Sequence, residues 1–120
     1  MATTIRLRKG SRSQAPRQKD LRAYLLTCIW FKKEIGRERY REYLEHASPI
    51  AEIYGARRVD ALIPVETISG SFEPDFVFLV AWPSMEHYYK FLKDVHYRAV
   101  APLLSEAVEK SVVLHCRRPG

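Results

Sequence analysis

The fold is decided by residues 23–31, Ala23-Tyr24-Leu25-Leu26-Thr27-Cys28-Ile29-Trp30-Phe31. This run is apolar except for Thr27, and its length and its β-branched and aromatic content are typical of a strand that is buried on both faces. A second run of the same kind is apolar at every position: Phe76-Val77-Phe78-Leu79-Val80-Ala81-Trp82. The two runs predict two strands without a polar face, so both faces of their sheet need a cover.

An amphipathic helix and a weaker strand are predicted between these two runs. From Arg37, apolar residues recur at helical spacing: Tyr40, Tyr43, Leu44, Ala47, Ile50, Ala51 and Tyr54. The pattern predicts a helix with a kink or a restart at Pro49 and a left-handed cap at Gly55. Partial alternation over residues 59–68 predicts the second strand, bent at Pro64.

The C-terminal part of the chain predicts a second helical region and a last strand. Ser84 is a good N-cap, and the apolar stripe that follows it breaks at residues 93–94 and resumes at Tyr97, so we expect two helical pieces. Residues 112–116 predict the last strand. The order β-α-β-β-α-β predicts a ferredoxin-like α+β fold, in which a four-stranded antiparallel sheet carries its helices on one face. The simplest way to cover the face without helices is the same face of a second copy of the chain, which gives a homodimer and a dimeric α+β barrel.

The positive charge of the chain is concentrated near its N-terminus. The 120 residues have a net charge of +6, and residues 1–20, with six basic residues and one acidic residue, account for +5 of it. We therefore expect a flexible basic N-terminal arm over residues 1–20, a dimeric α+β barrel domain over residues 21–117 and a tail over residues 118–120. Because the arm has no aromatic residue for base stacking, nucleic acid is not an expected partner.

Composition excludes several other classes of protein. A content of 47% hydrophobic and 28% charged residues is that of a globular domain. No apolar run reaches the roughly 20 residues of a membrane helix, so no membrane association is expected. The two cysteines, Cys28 and Cys116, are too few for a disulfide framework, and a cytoplasmic protein with reduced thiols is the expectation. No metal or organic cofactor is predicted, because zinc-type Cys/His spacing, a phosphate loop and a dinucleotide fingerprint are missing from the sequence.

Short motifs between Leu21 and Cys116 carry a family resemblance. In chain order they are Tyr40-x-x-Tyr43, Pro49, Tyr54-Gly55-Ala56-Arg57, Gly70-Ser71-Phe72-Glu73-Pro74-Asp75, Trp82-Pro83-Ser84-Met85-Glu86 and His96-Tyr97-Arg98. Together they resemble the DUF1330 family of the dimeric α+β barrel superfamily, relatives of the antibiotic-biosynthesis monooxygenases. The chain departs from the family pattern at Ala81, where a Glu is common. The resemblance implies a cleft between sheet and helices, but the superfamily hosts many chemistries, so the fold does not select one.

Six residues are candidates for this cleft. His96 is predicted as the acid-base group, because an imidazole with a pKa near roughly 6.5 exchanges protons at neutral pH. Tyr97 and Tyr43 are predicted to orient the substrate, since a tyrosine hydroxyl can donate to a developing oxyanion. Predicted ligand-binding residues are His46, Arg57 and Trp82. Each of the six also has a structural interpretation, as a solvated or a core side chain, and the sequence leaves both open.

Two functional hypotheses of different classes follow. The leading one is a small-molecule enzyme without a cofactor, which performs proton transfer or oxygenation on a hydrophobic carbonyl or aromatic substrate. The competing one is a non-catalytic ligand-binding or assembly module.

Overall fold

The structure, a computed structural model, describes residues 20–120, and its elements follow the predicted order. They are β1 (Ala23–Phe31), α1 (Gly36–Ile53), β2 (Arg57–Leu62), β3 (Phe76–Trp82), α2 (Met85–Lys93), α3 (Val95–Ala107) and β4 (Val108–Cys116). The strands form one antiparallel sheet in the order β2-β3-β1-β4. The predicted ferredoxin-like α+β fold is confirmed, and the second helical region is divided at Asp94 as expected.

The strand register assigns the side chains to two faces of the sheet, because paired residues point to the same side and successive residues to opposite sides. The helix-covered face carries Leu25, Ile29, Phe78, Val80 and Trp82. The other face, which we call the open face, carries two apolar rows across the sheet, Leu79–Leu26–Leu114 and Val77–Cys28–Val112. No helix among residues 20–120 covers these rows, so the strands lack a polar face as the sequence predicted.

The core lies between the helix-covered face and the three helices. Helix α1 contributes Tyr40, Tyr43 and Ala47, and α3 contributes Tyr97 and Ala107. Full burial of a large side chain contributes about 1.5–3 kcal/mol, so this aromatic layer is what holds the helices on the sheet.

Two strands, β2 and β4, differ in their bounds from the prediction, and β2 already begins two residues earlier than expected. Strand β2 spans Arg57–Leu62 and does not continue to Ile68. Pro64 has no N–H to donate to a neighbouring strand, so the chain leaves the sheet just before it. Strand β4 begins at Val108, four residues earlier than predicted. Its first residues are mostly polar and exposed, which an edge strand tolerates because one of its sides is not covered.

The sequence predicts a kink or a restart at Pro49; helix α1 runs without a break through this residue, so the restart is wrong and the kink stays a prediction. Pro49 is exposed and removes only one backbone hydrogen bond from a long helix. The predicted cap at Gly55 is confirmed: its φ is +91° and its N–H donates to the Glu52 carbonyl at 2.9 Å. A Cβ at this position would come within 2.5 Å of Pro83, so the close approach of α1 to the end of β3 also requires glycine.

The predicted basic arm lies outside the described residues except for Asp20, which forms an ion pair with Arg22 at 3.0 Å. Over residues 20–120, no helix combines the length and the hydropathy needed to cross a membrane.

Candidate functional site

A cavity of about 420 Å³ lies between the helix-covered face and the helices. Apolar strand residues form its floor: Leu25, Ile29, Phe78, Val80 and Val113. Aromatic residues of the three helices form its roof: Tyr40, Tyr43, Tyr88, Phe91 and Tyr97. Ligand pockets typically measure about 300–1,000 Å³ and combine apolar walls with a few polar groups. This cavity therefore is the candidate functional site.

Two buried tyrosines meet at the wall of the cavity, one from α1 and one from α3. The hydroxyl oxygens of Tyr43 and Tyr97 lie 2.8 Å apart. Each hydroxyl has one proton, so when one donates to the other, the second keeps its proton free for a ligand. Burial raises the pKa of Tyr43 well above its ordinary value of 10, with a smaller contribution from Tyr97. The Tyr43 hydroxyl is therefore neutral at physiological pH and acts as a hydrogen-bonding group.

Two further tyrosines of the roof are also held neutral. The Tyr40 ring stacks on Tyr43 with 5.6 Å between ring centroids. Burial raises the pKa of Tyr40 and of Tyr88 above the ordinary value of 10. The hydroxyl groups of Tyr40, Tyr43 and Tyr88 thus keep their protons at neutral pH and can donate hydrogen bonds.

The cavity has little formal charge. Among the described residues that line it, Arg58 is the one basic side chain and Glu52 the one acidic side chain. The positive charge of Arg58 opposes the effect of burial on the pKa of Tyr40, which places the guanidinium within electrostatic range of that hydroxyl. Neither Arg58 nor Glu52 forms an ion pair within residues 20–120. Arg58 is therefore available to a carboxylate or carbonyl group of a ligand.

Three of the predicted site residues line this cavity: Tyr43, Tyr97 and Trp82. Trp82 ends β3 and packs against α2. The centroid of its ring lies 5.2 Å from that of Tyr88 and 5.1 Å from that of Phe91. The ring centroids of Phe91 and Tyr97 in turn lie 4.1 Å apart. The aromatic contacts between β3, α2 and α3 thus fix the position of the Tyr97 ring.

The two predicted histidines do not line the cavity. His96 is exposed at the start of α3, immediately before the buried Tyr97. Consecutive residues of a helix point about 100° apart, so a helix that buries Tyr97 turns His96 outward. His46 is likewise exposed, next to the buried Ala47 on α1.

The third predicted residue that does not line the cavity is Arg57. Its neighbour Arg58 lines the cavity instead. Arg57 pairs with Ala81 and therefore lies on the open face, whereas Arg58 pairs with Val80 on the cavity side. The sequence offers Arg57, Arg58 and Asp60 as possible anchors for an anionic or carbonyl-bearing ligand, and it favours Arg57 wrongly as a cavity residue because the alternation of β2 is broken by a register shift between Arg58 and Asp60. Sequence reasoning could have found Tyr40, which belongs to the apolar stripe of α1, but Glu52 carries no such signal.

A carboxylate at the start of α3 anchors the segment that carries Tyr97. One oxygen of Asp94 accepts hydrogen bonds from the backbone N–H groups of His96 at 2.7 Å and Tyr97 at 3.0 Å. The other accepts from the Tyr54 hydroxyl at 2.7 Å. The pKa of Asp94 is lowered, first by the Tyr54 hydroxyl and then by the helix N–H groups. Asp94 therefore ties the first turn of α3 to the end of α1.

No group of three His, Cys, Asp or Glu side chains within residues 20–120 is placed to hold a metal ion.

Solved structures with the same fold include three proteins of low sequence identity. A protein of unknown function from Rhodopseudomonas palustris has a TM-score of 0.79 and 20% identity, with 85% of each chain covered. A dimeric ferredoxin-like protein of unknown function from Jannaschia sp. has a TM-score of 0.64 and 11% identity, covering 81% of this chain and 99% of that one. A Dabb family protein with a ferredoxin-like fold from Mesorhizobium loti has a TM-score of 0.61 and 17% identity, covering 82% and 98%. At these identities the likeness shows the fold alone.

A comparison with curated proteins finds no match. Residues 23–115, which span β1 to β4, match the family described as a domain of unknown function, DUF1330. The match covers far more than half of the chain, and the chain therefore belongs to the DUF1330 family.

Proposed function

We propose that the protein binds a small hydrophobic molecule with a carbonyl or phenolic oxygen, and that this oxygen is held by the Tyr43–Tyr97 pair. The observation that carries the proposal is the 2.8 Å contact between the two buried hydroxyls. No described residue accepts the second proton of this pair, so it remains for a ligand. A buried hydroxyl group without an acceptor is costly, which favours a ligand that supplies one.

The walls of the cavity narrow the chemistry of the ligand. Aromatic rings and branched aliphatic side chains match a hydrophobic or aromatic body. The neutral hydroxyl donors favour a carbonyl over a full negative charge. Arg58, at an exposed position of the lining, is placed for a second oxygen or a carboxylate. The best candidate is therefore an aromatic or polycyclic ketone, or a related keto acid.

Cofactor-independent proton transfer is the second candidate function, favoured by Glu52 in the same lining. The tyrosine pair would stabilise the oxyanion of an enolate, while the Glu52 carboxylate takes the proton from the carbon next to the carbonyl. His96, which is exposed, has no place in this arrangement, and its acid-base role stays a prediction, as does oxygenation of the substrate.

We also propose that the chain forms a homodimer through the open face. Its two rows of Leu, Val and Cys side chains have no cover within residues 20–120. A contiguous apolar patch of this kind marks an interaction surface, and a two-fold pair of identical faces is the simplest cover. The dimeric neighbour from Jannaschia sp. supports this assembly.

Binding is tested with the fluorescence of Trp82 in a Trp30→Phe background, where it is the remaining tryptophan. A panel of aromatic ketones is titrated beside hydrocarbons of the same shape that lack the carbonyl oxygen. We expect the ketone of a pair to bind about tenfold tighter, the equivalent of one hydrogen bond of about 1.4 kcal/mol. Tyr97→Phe should remove this preference, whereas His96→Ala should retain it. Equal affinities for ketone and hydrocarbon in the parent protein would refute the proposed role of the tyrosine pair.

Proton transfer is tested by following exchange of the hydrogens next to the carbonyl with solvent deuterium, by NMR, for each ketone that binds. Glu52→Gln should abolish the protein-dependent exchange and leave binding intact. Exchange that persists in Glu52→Gln but disappears in His96→Ala would return the acid-base role to His96.

A further inference from the structure

Thr27 is the exception in the apolar run of β1, and it lies in the middle of the cavity floor. It lines the cavity between Leu25 and Ile29, which precede and follow it on the helix-covered face. These two neighbours are 4% and 2% exposed, whereas Thr27 is half-buried. The core therefore closes over β1 on either side of Thr27 and leaves the space above this residue open.

The hydroxyl group of Thr27 has no partner in the described part of the chain. Across the sheet, Thr27 pairs with Phe78 on β3 and with Val113 on β4, and both side chains are apolar. Within residues 20–120 its hydroxyl forms no hydrogen bond. Its oxygen is not sealed under other side chains, so the hydroxyl is accessible from the cavity.

The strand itself does not need this hydroxyl group. Valine is nearly the same size and shape as threonine and has the same branched Cβ, which suits a strand. A methyl group at this position would avoid the cost of withdrawing an unpaired hydroxyl from water. A residue that departs from the local pattern without a structural gain is typical of a functional site. The position of Thr27 in the cavity floor therefore indicates contact with a ligand.

We propose that Thr27 is a second polar anchor of the cavity, and that the ligand is an aromatic ketone with a hydroxyl group on another part of its ring system. The proposal rests on the ligand site proposed above. The Tyr43–Tyr97 pair has one free proton, so it selects a carbonyl oxygen. A threonine hydroxyl both donates and accepts, so it matches a hydroxyl group of the ligand. Because the tyrosines belong to the helices and Thr27 to the sheet, the two anchors hold the ligand from different layers and fix its orientation.

Calorimetric titration of the full chain tests the second anchor. The probes are tetralone, a bicyclic aromatic ketone, and its monohydroxylated isomers. We expect one isomer to bind the parent protein about tenfold tighter than tetralone, because it adds one hydrogen bond. Thr27→Val should lower the affinity for that isomer to that of tetralone and leave the affinity for tetralone unchanged. The matched control, Ser111→Ala, removes a hydroxyl group from the lining on the exposed edge strand and should change neither affinity.

The possible outcomes separate the second anchor from the tyrosine site. If no hydroxylated isomer binds tighter than tetralone, or if Ser111→Ala has the same effect as Thr27→Val, the second anchor is overturned and the tyrosine site stands. If tetralone binds no tighter than tetralin, the hydrocarbon of the same shape, the tyrosine site fails and the second anchor fails with it.

A measurement without ligand tests whether the Thr27 hydroxyl lacks a partner in the fold. Thr27→Val should raise the Tm by about 2–4 °C, because it replaces an unpaired hydroxyl group with a methyl group. Thermal denaturation followed by circular dichroism measures the shift. A lower Tm in Thr27→Val would show that the hydroxyl stabilises the folded chain, and its assignment as a ligand anchor would be overturned.

Discussion

The helix-covered face and the open face of the sheet alternate along the same strands, yet they carry different chemistry. On the helix-covered face, helix tyrosines bring hydroxyl groups over apolar strand residues and leave a cavity of about 420 Å³. The rows Leu79–Leu26–Leu114 and Val77–Cys28–Val112 of the open face carry neither hydroxyl groups nor charges. Hydrogen-bonding groups at fixed positions select a ligand, whereas an apolar face requires a complementary surface. The difference supports the two proposals, a ligand site on the helix-covered face and a dimer interface on the open face.

The largest expected effect is the loss of Trp82, which belongs to the helix-covered face. Trp82→Ala should lower the free energy of unfolding by about 3–5 kcal/mol, because the ring is buried against α2 and its removal leaves a large void. Urea denaturation at a fixed protein concentration measures it. Trp30→Ala on the open face is the matched control and should cost clearly less. Equal losses of unfolding free energy would mean that the two faces contribute alike to folding, which would contradict the difference between them.

The open face is tested by Leu26→Asp at the centre of its first row. A carboxylate between Leu79 and Leu114 would be buried in the dimer, so we expect the dissociation constant to rise about a hundredfold, or nearly 3 kcal/mol. Sedimentation velocity measures the assembly, and circular dichroism checks that the subunit is folded. Leu21→Asp, just outside β1, is the control and should leave the assembly unchanged. A Leu26→Asp protein that assembles like the parent contradicts an interface on this face.

Asp94 connects the helices above the helix-covered face, and its removal should have a smaller effect. Asp94→Ala leaves the first N–H groups of α3 and the Tyr54 hydroxyl without their acceptor, and we expect the Tm to fall by roughly 5 °C. Ligand affinity should fall as well, because Tyr97 lies in this first turn. The open face is remote from Asp94, so the dissociation constant of the dimer should stay at its parent value.

The lowered pKa of Asp94 also gives this contact a defined pH dependence. In the unfolded chain the carboxyl titrates near 3.8, and in the folded protein it titrates lower. Its contribution to stability is therefore complete above this value and is lost as the pH falls through the lower, folded pKa. The difference in Tm between the parent and Asp94→Ala should thus shrink at acidic pH. A difference that stays constant down to the lowest pH at which the protein folds would assign the effect to packing alone.

The sequence predicts those features that repeat with the period of a helix or a strand. The apolar runs of β1 and β3 and the stripe of α1 are strong signals, and the stripe places Tyr43 toward the core. The sequence pattern does not show which side of α3 faces the core at its first turn, because His96 and Tyr97 are neighbours there and one of them must face outward. Arg57 and Arg58 pose the same problem on β2, where a register shift decides which of the two lies on the cavity side. In both pairs, the residue that lines the cavity is set by how the helix or strand packs in the folded protein, which the sequence pattern does not show.

The smallest expected effect lies off both faces, in the turn between β1 and α1. Glu34 has a φ of +69°, a left-handed conformation in which a Cβ costs about 1 kcal/mol. Glu34→Gly removes this cost but makes the unfolded chain more flexible, so a net stabilisation of about 0.5 kcal/mol is expected in urea denaturation. Glu34→Ala keeps the Cβ and should give no gain. Because Glu34 belongs to neither face, neither ligand affinity nor dimer dissociation should change, and a change in either would show that the turn also controls how α1 presents its tyrosines to the cavity.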